Sequence, residues 1–91
     1  MSDFQKGLNN IIAAIRKALS ARGRGLENAS ISYDFKGSGP DDAKIAIVAP
    51  GKTAEAMFPR KYVEDSYQSV PVNVQIHINS LVSEFEGSGN G

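Results

Sequence analysis

Residues 70–78 read Val70-Pro71-Val72-Asn73-Val74-Gln75-Ile76-His77-Ile78. Val70, Val72, Val74, Ile76 and Ile78 occupy alternate positions, with Asn73, Gln75 and His77 between them. Successive side chains of a strand point to opposite faces, and β-branched residues favour strands. The pattern therefore predicts a β-strand with one apolar face, the clearest strand in the chain. On that reading the rest of the sequence must supply its neighbours and a cover for its apolar face.

Upstream, residues 29–36 (ASISYDFK) also alternate. Ala29, Ile31, Tyr33 and Phe35 share one face; Ser30, Ser32, Asp34 and Lys36 share the other. Gly37-Ser38-Gly39-Pro40-Asp41-Asp42 has the composition of a turn or short loop. Residues 43–49 (AKIAIVA) then set Ala43, Ile45, Ile47 and Ala49 on one face, and the two runs predict an antiparallel hairpin. Pro50-Gly51 closes the second strand. Residues 52–58 (KTAEAMF) have helix-forming composition, but the run is short and Pro59 ends it. The alternative is a third strand after a Pro-Gly turn, with Ala54, Ala56 and Phe58 on one face, and this reading is slightly favoured. Arg60 to Ser69 read as a partly exposed connection that tucks in Tyr62, Val63 or Tyr67.

Downstream, Asn79 or Ser80 is suited to cap a short helix in which Leu81, Val82 and Phe85 share a face. Gly87-Ser88-Gly89-Asn90-Gly91 has no large side chain to bury and reads as a flexible tail. Residues 1–86 then make one domain.

The cover is at the other end of the chain. Phe4, Leu8, Ile11, Ile12, Ile15 and Leu19 recur at helical spacing. Lys6, Asn9, Asn10, Arg16, Lys17 and Ser20 lie off this stripe. Ser2 and Gln5 have the spacing of a capping box, and Gly23 and Gly25 stop the helix. A helix over about residues 3–22 is about 30 Å long at 1.5 Å per residue, enough to cross several strands. The expected fold is α+β, a two-layer sandwich of order α-β-β-(β)-β-α. Its antiparallel sheet has three to four strands, covered on one side and wetter on the other.

Composition narrows the function classes. The chain has 91 residues, 10 Lys and Arg against 10 Asp and Glu, one His and no Cys. One domain of this size suffices for one modest core. Without cysteine there is no disulfide framework, thiolate nucleophile or Cys-based zinc site. No cofactor and no metal are expected. MSDFQKGLNN lacks a basic region followed by an apolar stretch, and no run is long enough to span a membrane. A cytoplasmic location without membrane contact is the expectation.

The chemical motifs are weak. Gly51-Lys52-Thr53 matches the end of a P-loop, but GxxxxGK[ST] needs its first glycine where the chain has Ala46. His77 lies on the polar strand face with Asn73 and Gln75, where Asp34 could orient it. No nucleophile elbow such as G-x-S-x-G accompanies it. Asp41-Asp42 and Glu64-Asp65 could hold a hard cation, but the calcium-loop pattern is absent. No catalytic residue is assigned.

Two functional expectations remain. The favoured one is a small soluble non-enzymatic protein acting by protein–protein interaction or self-association. Its partner is an unidentified protein or a second copy. The site is the open sheet face, an unpaired strand edge, or the segment holding Tyr62, Glu64, Asp65 and Tyr67, since tyrosines favour protein contacts. The alternative is a weak nucleic-acid-binding module using Arg16, Lys17, Arg22 and Arg24, the last two within an RGRG segment.

The charges are polarised along the chain. Residues 1–25 carry Lys6, Arg16, Lys17, Arg22 and Arg24 against Asp3, a net +4. Residues 62–91 carry Glu64, Asp65, Glu84 and Glu86 with no Lys or Arg, a net −4. If the terminal helices share one side of the sheet, these poles attract and help dock them.

Overall fold

A computed structural model describes residues 3–22, 29–34 and 42–87. The amphipathic stripe near the N-terminus forms helix α1 (Asp3–Arg22). Leu8, Ile11, Ile15 and Leu19 are buried along it, while Phe4 and Ile12 are half-buried at its margins. Lys6, Asn9, Arg16, Lys17 and Ser20 are exposed, as their positions off the stripe require. Ser2, Gly23 and Gly25, read as cap and stops, lie outside the described residues.

Three strands follow: β1 (Ser30–Asp34), β2 (Ala43–Ala49) and β3 (Lys52–Phe58). They form one antiparallel sheet in the order β1-β2-β3. Ile31 faces Ile47 across the first pair, and Ile47 faces Ala54 across the second. The favoured reading of 52–58 as a strand therefore holds. Pro50-Gly51 joins Ala49 to its partner Lys52, and Gly51 has a φ of +78°. A proline followed by a positive-φ glycine is the pairing of a type II turn. Once that turn sets the register, alternation sends Ala54 and Phe58 inward and Thr53, Glu55 and Met57 outward.

The inner face is incompletely covered at its β1 edge. Ala29 is buried, Ile31 half-buried and Tyr33 44% exposed. Phe35 and the 37–41 part of the turn lie outside the described residues. On the other face Ser32, Asp34, Lys44, Val48, Thr53 and Glu55 are exposed, which matches the expected wetter side.

The run at 70–78 is not a strand. It opens helix α3 (Val72–Gly87), which continues through Asn79 and Ser80 without a break. These two residues are exposed mid-helix positions and cap nothing. The helix predicted to be short therefore has 16 residues, and the sheet has three strands. Val74, Ile78, Leu81, Val82 and Phe85 are buried, at helical spacing. Val72 and Ile76, assigned to the same apolar strand face, are 78% and 61% exposed.

The cause is a degeneracy of period. Positions 74, 78 and 82 stand four apart, and both a strand and a helix put such positions on one face. The deciding residues are Leu81 and Phe85, which fit only the helix. Pro71 adds a start signal, because a proline is tolerated at the opening of a helix, where its missing N–H costs nothing. The first helical bond runs from Gln75 N–H to the Pro71 carbonyl at 2.9 Å. The β preference of Val and Ile is of order 1 kcal/mol per residue, and burying five large side chains outweighs it.

Between β3 and α3, Arg60–Asp65 form a short helix, α2, where a connection was expected. Pro59 ends β3, and its carbonyl accepts from the N–H groups of Tyr62 (2.8 Å) and Val63 (3.3 Å). Val63 is buried and Tyr62 half-buried, whereas Tyr67 is 41% exposed. The described part of Gly87–Gly91 is Gly87 alone, which ends α3. All three helices contribute to one core with the inner face of the sheet.

Candidate interaction surface

Helix α1 meets α2 by direct backbone approach. A Cβ at Gly7 would stand 1.7 Å from the Val63 carbonyl oxygen. Glycine is the residue that lets the two backbones come this close. One turn on, Asn10 Nδ2 donates to the Ser66 carbonyl at 2.7 Å. Ser66 is buried, and its Oγ donates to the Tyr62 carbonyl at 2.8 Å. Arg60 lies 5.1 Å from the centroid of Phe4, a cation–π distance.

This arrangement consumes much of the Tyr62–Tyr67 segment. Tyr62 packs edge-on to His77, with ring centroids 5.8 Å apart. Glu64 pairs with Arg60 at 3.5 Å and Asp65 with Lys61 at 3.7 Å, each within one turn of α2. Among the described residues no group of three or more His, Cys, Asp or Glu could hold a metal ion. Asp42 is exposed and Asp41 lies outside the described residues.

His77 is placed differently from its sequence reading. On helix α3 it keeps Asn73, four residues back, on its own face but not Gln75, and Asp34 is on β1, two strands or about 10 Å beyond β3. Its Nε2 lies 2.9 Å from the Met57 carbonyl. A carbonyl oxygen only accepts, so Nε2 carries the proton and donates. The ring stands edge-on to Phe58 at 4.5 Å. His77 thus ties α3 to β3.

Gly51-Lys52-Thr53 forms the hairpin turn and the start of β3, not a loop leading into a helix. Lys52 Nζ donates to the Glu86 carbonyl at 3.2 Å and lies 6.0 Å from the Phe85 ring. It thereby satisfies one terminal carbonyl of α3. Arg22 converges on the same end, donating to Glu86 at 2.6 Å and to Ser83 Oγ at 3.2 Å. The opposed charges of the two terminal regions meet there, as expected if the helices share one side of the sheet.

The remaining cations form a pattern. Arg22, Lys44, Arg60 and Lys61 each have a carboxylate partner, and Lys52 has the Glu86 carbonyl. Lys6, Arg16 and Lys17 have none among the described residues, and all three are exposed on α1. Of the nucleic-acid candidates, Arg16 and Lys17 belong to this group, Arg22 is paired, and Arg24 lies outside the described residues.

Beside Lys17 the helices α1 and α3 part. Ala14, Lys17, Ala18 and Ala21 on one side and Gln75 and Asn79 on the other line a shallow groove of about 310 Å³. Val72 and Ile76 occupy the adjacent outward rows of α3, three or four residues from Gln75 and Asn79. The sequence reading missed this surface because it assigned Val72 and Ile76 to the core. The signal was available: they fall outside the stripe made by 74, 78, 81, 82 and 85. A second depression, about 240 Å³, lies on the open sheet face between Ser32, Asp34, Lys44 and Glu55. There Lys44 and Glu55 neutralise each other at 3.2 Å.

No helix among the described residues is long and apolar enough to cross a membrane. Comparisons of the chain with protein-family models, with curated proteins and with solved structures find no match.

Proposed function

We propose that the protein is a non-enzymatic interaction module that engages another polypeptide across the outer face of α1 and α3. The observation that carries this reading is the exposure of Val72 and Ile76, 78% and 61%, one helical turn apart. Single exposed aliphatics are ordinary, but two together beside a groove form a patch that association can bury. The open sheet face also exposes Val48 and Met57, but it is less suited, because they stand four ladder positions apart with the Lys44–Glu55 ion pair between them. The Tyr62–Asp65 part of the earlier candidate segment is largely engaged within the fold, which leaves Tyr67 as its exposed ring.

Photo-crosslinking tests this reading. A benzophenone side chain replaces Ile76 in one variant and Thr53, on the open sheet face, in another. In source cells the adduct at 76 is expected at one discrete mass, either a second copy or one other protein. The Thr53 variant is expected to lack it. Equal adduct patterns at both positions, or none at 76, would reject the reading.

A second reading, nucleic-acid binding, is favoured by the cations of Lys6, Arg16 and Lys17. It predicts affinity that falls steeply with salt through counterion release. Against it, Arg22 is bound to Glu86, and the ring of Phe4 lies under Arg60.

A further inference from the structure

The chemistry of the α1–α3 surface narrows the kind of polypeptide it accepts, on the premise that the surface binds one. Three observations bear on the occupant. First, the surface joins an aliphatic pair, Val72 and Ile76, to a groove with only one charged lining residue, Lys17. Second, its α1 border is cationic. Lys17 lines the groove, and Lys6, eleven positions or about three turns earlier, lies on the same side of α1. Both lack a carboxylate partner among the described residues, while Arg22, Lys44, Arg60 and Lys61 have one. Third, the groove lies between helices that run in the same direction. Asn10 meets Ser66, ahead of α3, and Arg22 meets Ser83 and Glu86 near its end. A groove of that form receives a third helix through residues at i, i+3, i+4 and i+7.

We infer that the occupant is an acidic amphipathic helix of another protein. Its apolar side covers Val72 and Ile76 and enters the groove, and its carboxylates face Lys17 and Lys6. Nucleic acid accounts for the cations but not for the aliphatic pair, which offers no base-stacking ring. A basic or neutral helix accounts for the pair but leaves the cationic border uncompensated. The 310 Å³ groove lies at the small end of ligand sites, which run from about 300 to 1,000 Å³. That size suits a few aliphatic side chains better than a cofactor.

The test is an NMR titration of the labelled full chain with three probes. These are a synthetic amphipathic helix of Leu, Ala and Glu, its twin with Lys in place of every Glu, and an oligothymidylate strand. The acidic peptide is expected to shift the amides of Ala14, Lys17, Ala18, Val72 and Ile76 together, and the Lys twin to leave them in place. Lys17→Glu should weaken the acidic peptide about fivefold, the size of one exposed charge pair. Lys6→Glu/Lys17→Glu should weaken it further, and Ile76→Asp should abolish the shifts. Lys61→Glu, on α2, should change nothing. All these side chains are exposed, so the variants are expected to fold, and retained amide dispersion checks that they do.

Binding of both peptides alike, or of neither, overturns the inference. So do shifts centred on Lys44 or Lys61, or an oligothymidylate that displaces the acidic peptide from the same amides. A discrete crosslink at position 76 alongside a failed acidic peptide would reject the acidic helix while leaving the interaction reading intact. Loss of the crosslink together with peptide binding would reject the wider reading and leave only the local chemistry.

Discussion

Helix α1 makes two kinds of contact along its length. Toward α2 it presents Gly7, whose missing side chain admits the Val63 carbonyl, and Asn10, whose amide reaches the buried Ser66 carbonyl. Toward α3 it presents Ala14, Ala18 and Ala21, and the helices leave a groove, with Arg22 reaching across to Ser83 and Glu86 near the end of α3. The first contact is set by shape to within a methyl group. The second has slack. Slack beside an exposed aliphatic pair is what a docking surface requires, and a contact as close as the first cannot give way to a partner without loss of the fold.

The comparison can be broken most severely at Gly7. Gly7→Ala forces backbone against backbone, and overpacking of that kind costs about 3 kcal/mol. The usual preference for Ala over Gly inside a helix, about 1 kcal/mol, works the other way and is too small to compensate. Urea denaturation is expected to show the large loss, and wild-type stability would contradict the close approach. Asn10→Ala is next. It leaves the Ser66 carbonyl without its donor, at a cost of about 1.5 kcal/mol in the same measurement.

Effects shrink at the α1–α3 contact. Arg22→Ala removes a partly exposed ion pair and is expected to cost under about 1 kcal/mol, with the difference from wild type fading at high salt. A salt-independent loss would show that Arg22 acts by packing instead. Ala18→Leu fills part of the groove and should change stability by less than about 0.5 kcal/mol. A loss near that of Gly7→Ala would mean the groove is closed in solution. Val72→Ser/Ile76→Ser should be equally neutral in stability while removing the position-76 shifts in the peptide titration. If it destabilises strongly, the pair belongs to the core and the docking surface is lost with it.

Legibility followed the periodicity. The stripe from Phe4 to Leu19 admits one period, so helix α1 could be read with its buried and exposed faces in place. The alternation of 29–36 and 43–49 likewise marks these two runs as an antiparallel pair, whereas 52–58 had a pattern that fitted a short helix or a strand. Residues 70–78 could not be resolved alone, because every second position is apolar and the helix uses a subset of the same residues. The surface around Val72 and Ile76 was hidden by that ambiguity. Gly7 did carry a signal, since a glycine inside a strong helical stripe is a local cost that suggests close approach. What approaches it is not written near it: Val63 is 56 positions along the chain.

By itself, then, the sequence determined an α+β chain with a long amphipathic N-terminal helix, an antiparallel pair of strands at 29–36 and 43–49, and opposite charge at its ends. These are local properties, set by side-chain period and by composition. Only the tertiary structure decided that 72–87 is one helix, that Arg22 meets Glu86, that His77 holds the β3 edge and that Lys6, Arg16 and Lys17 keep no partner among the described residues. Each depends on which distant groups compete for the same space and the same hydrogen bonds. An ambiguous local period is settled by whichever arrangement buries more apolar surface while satisfying its own backbone.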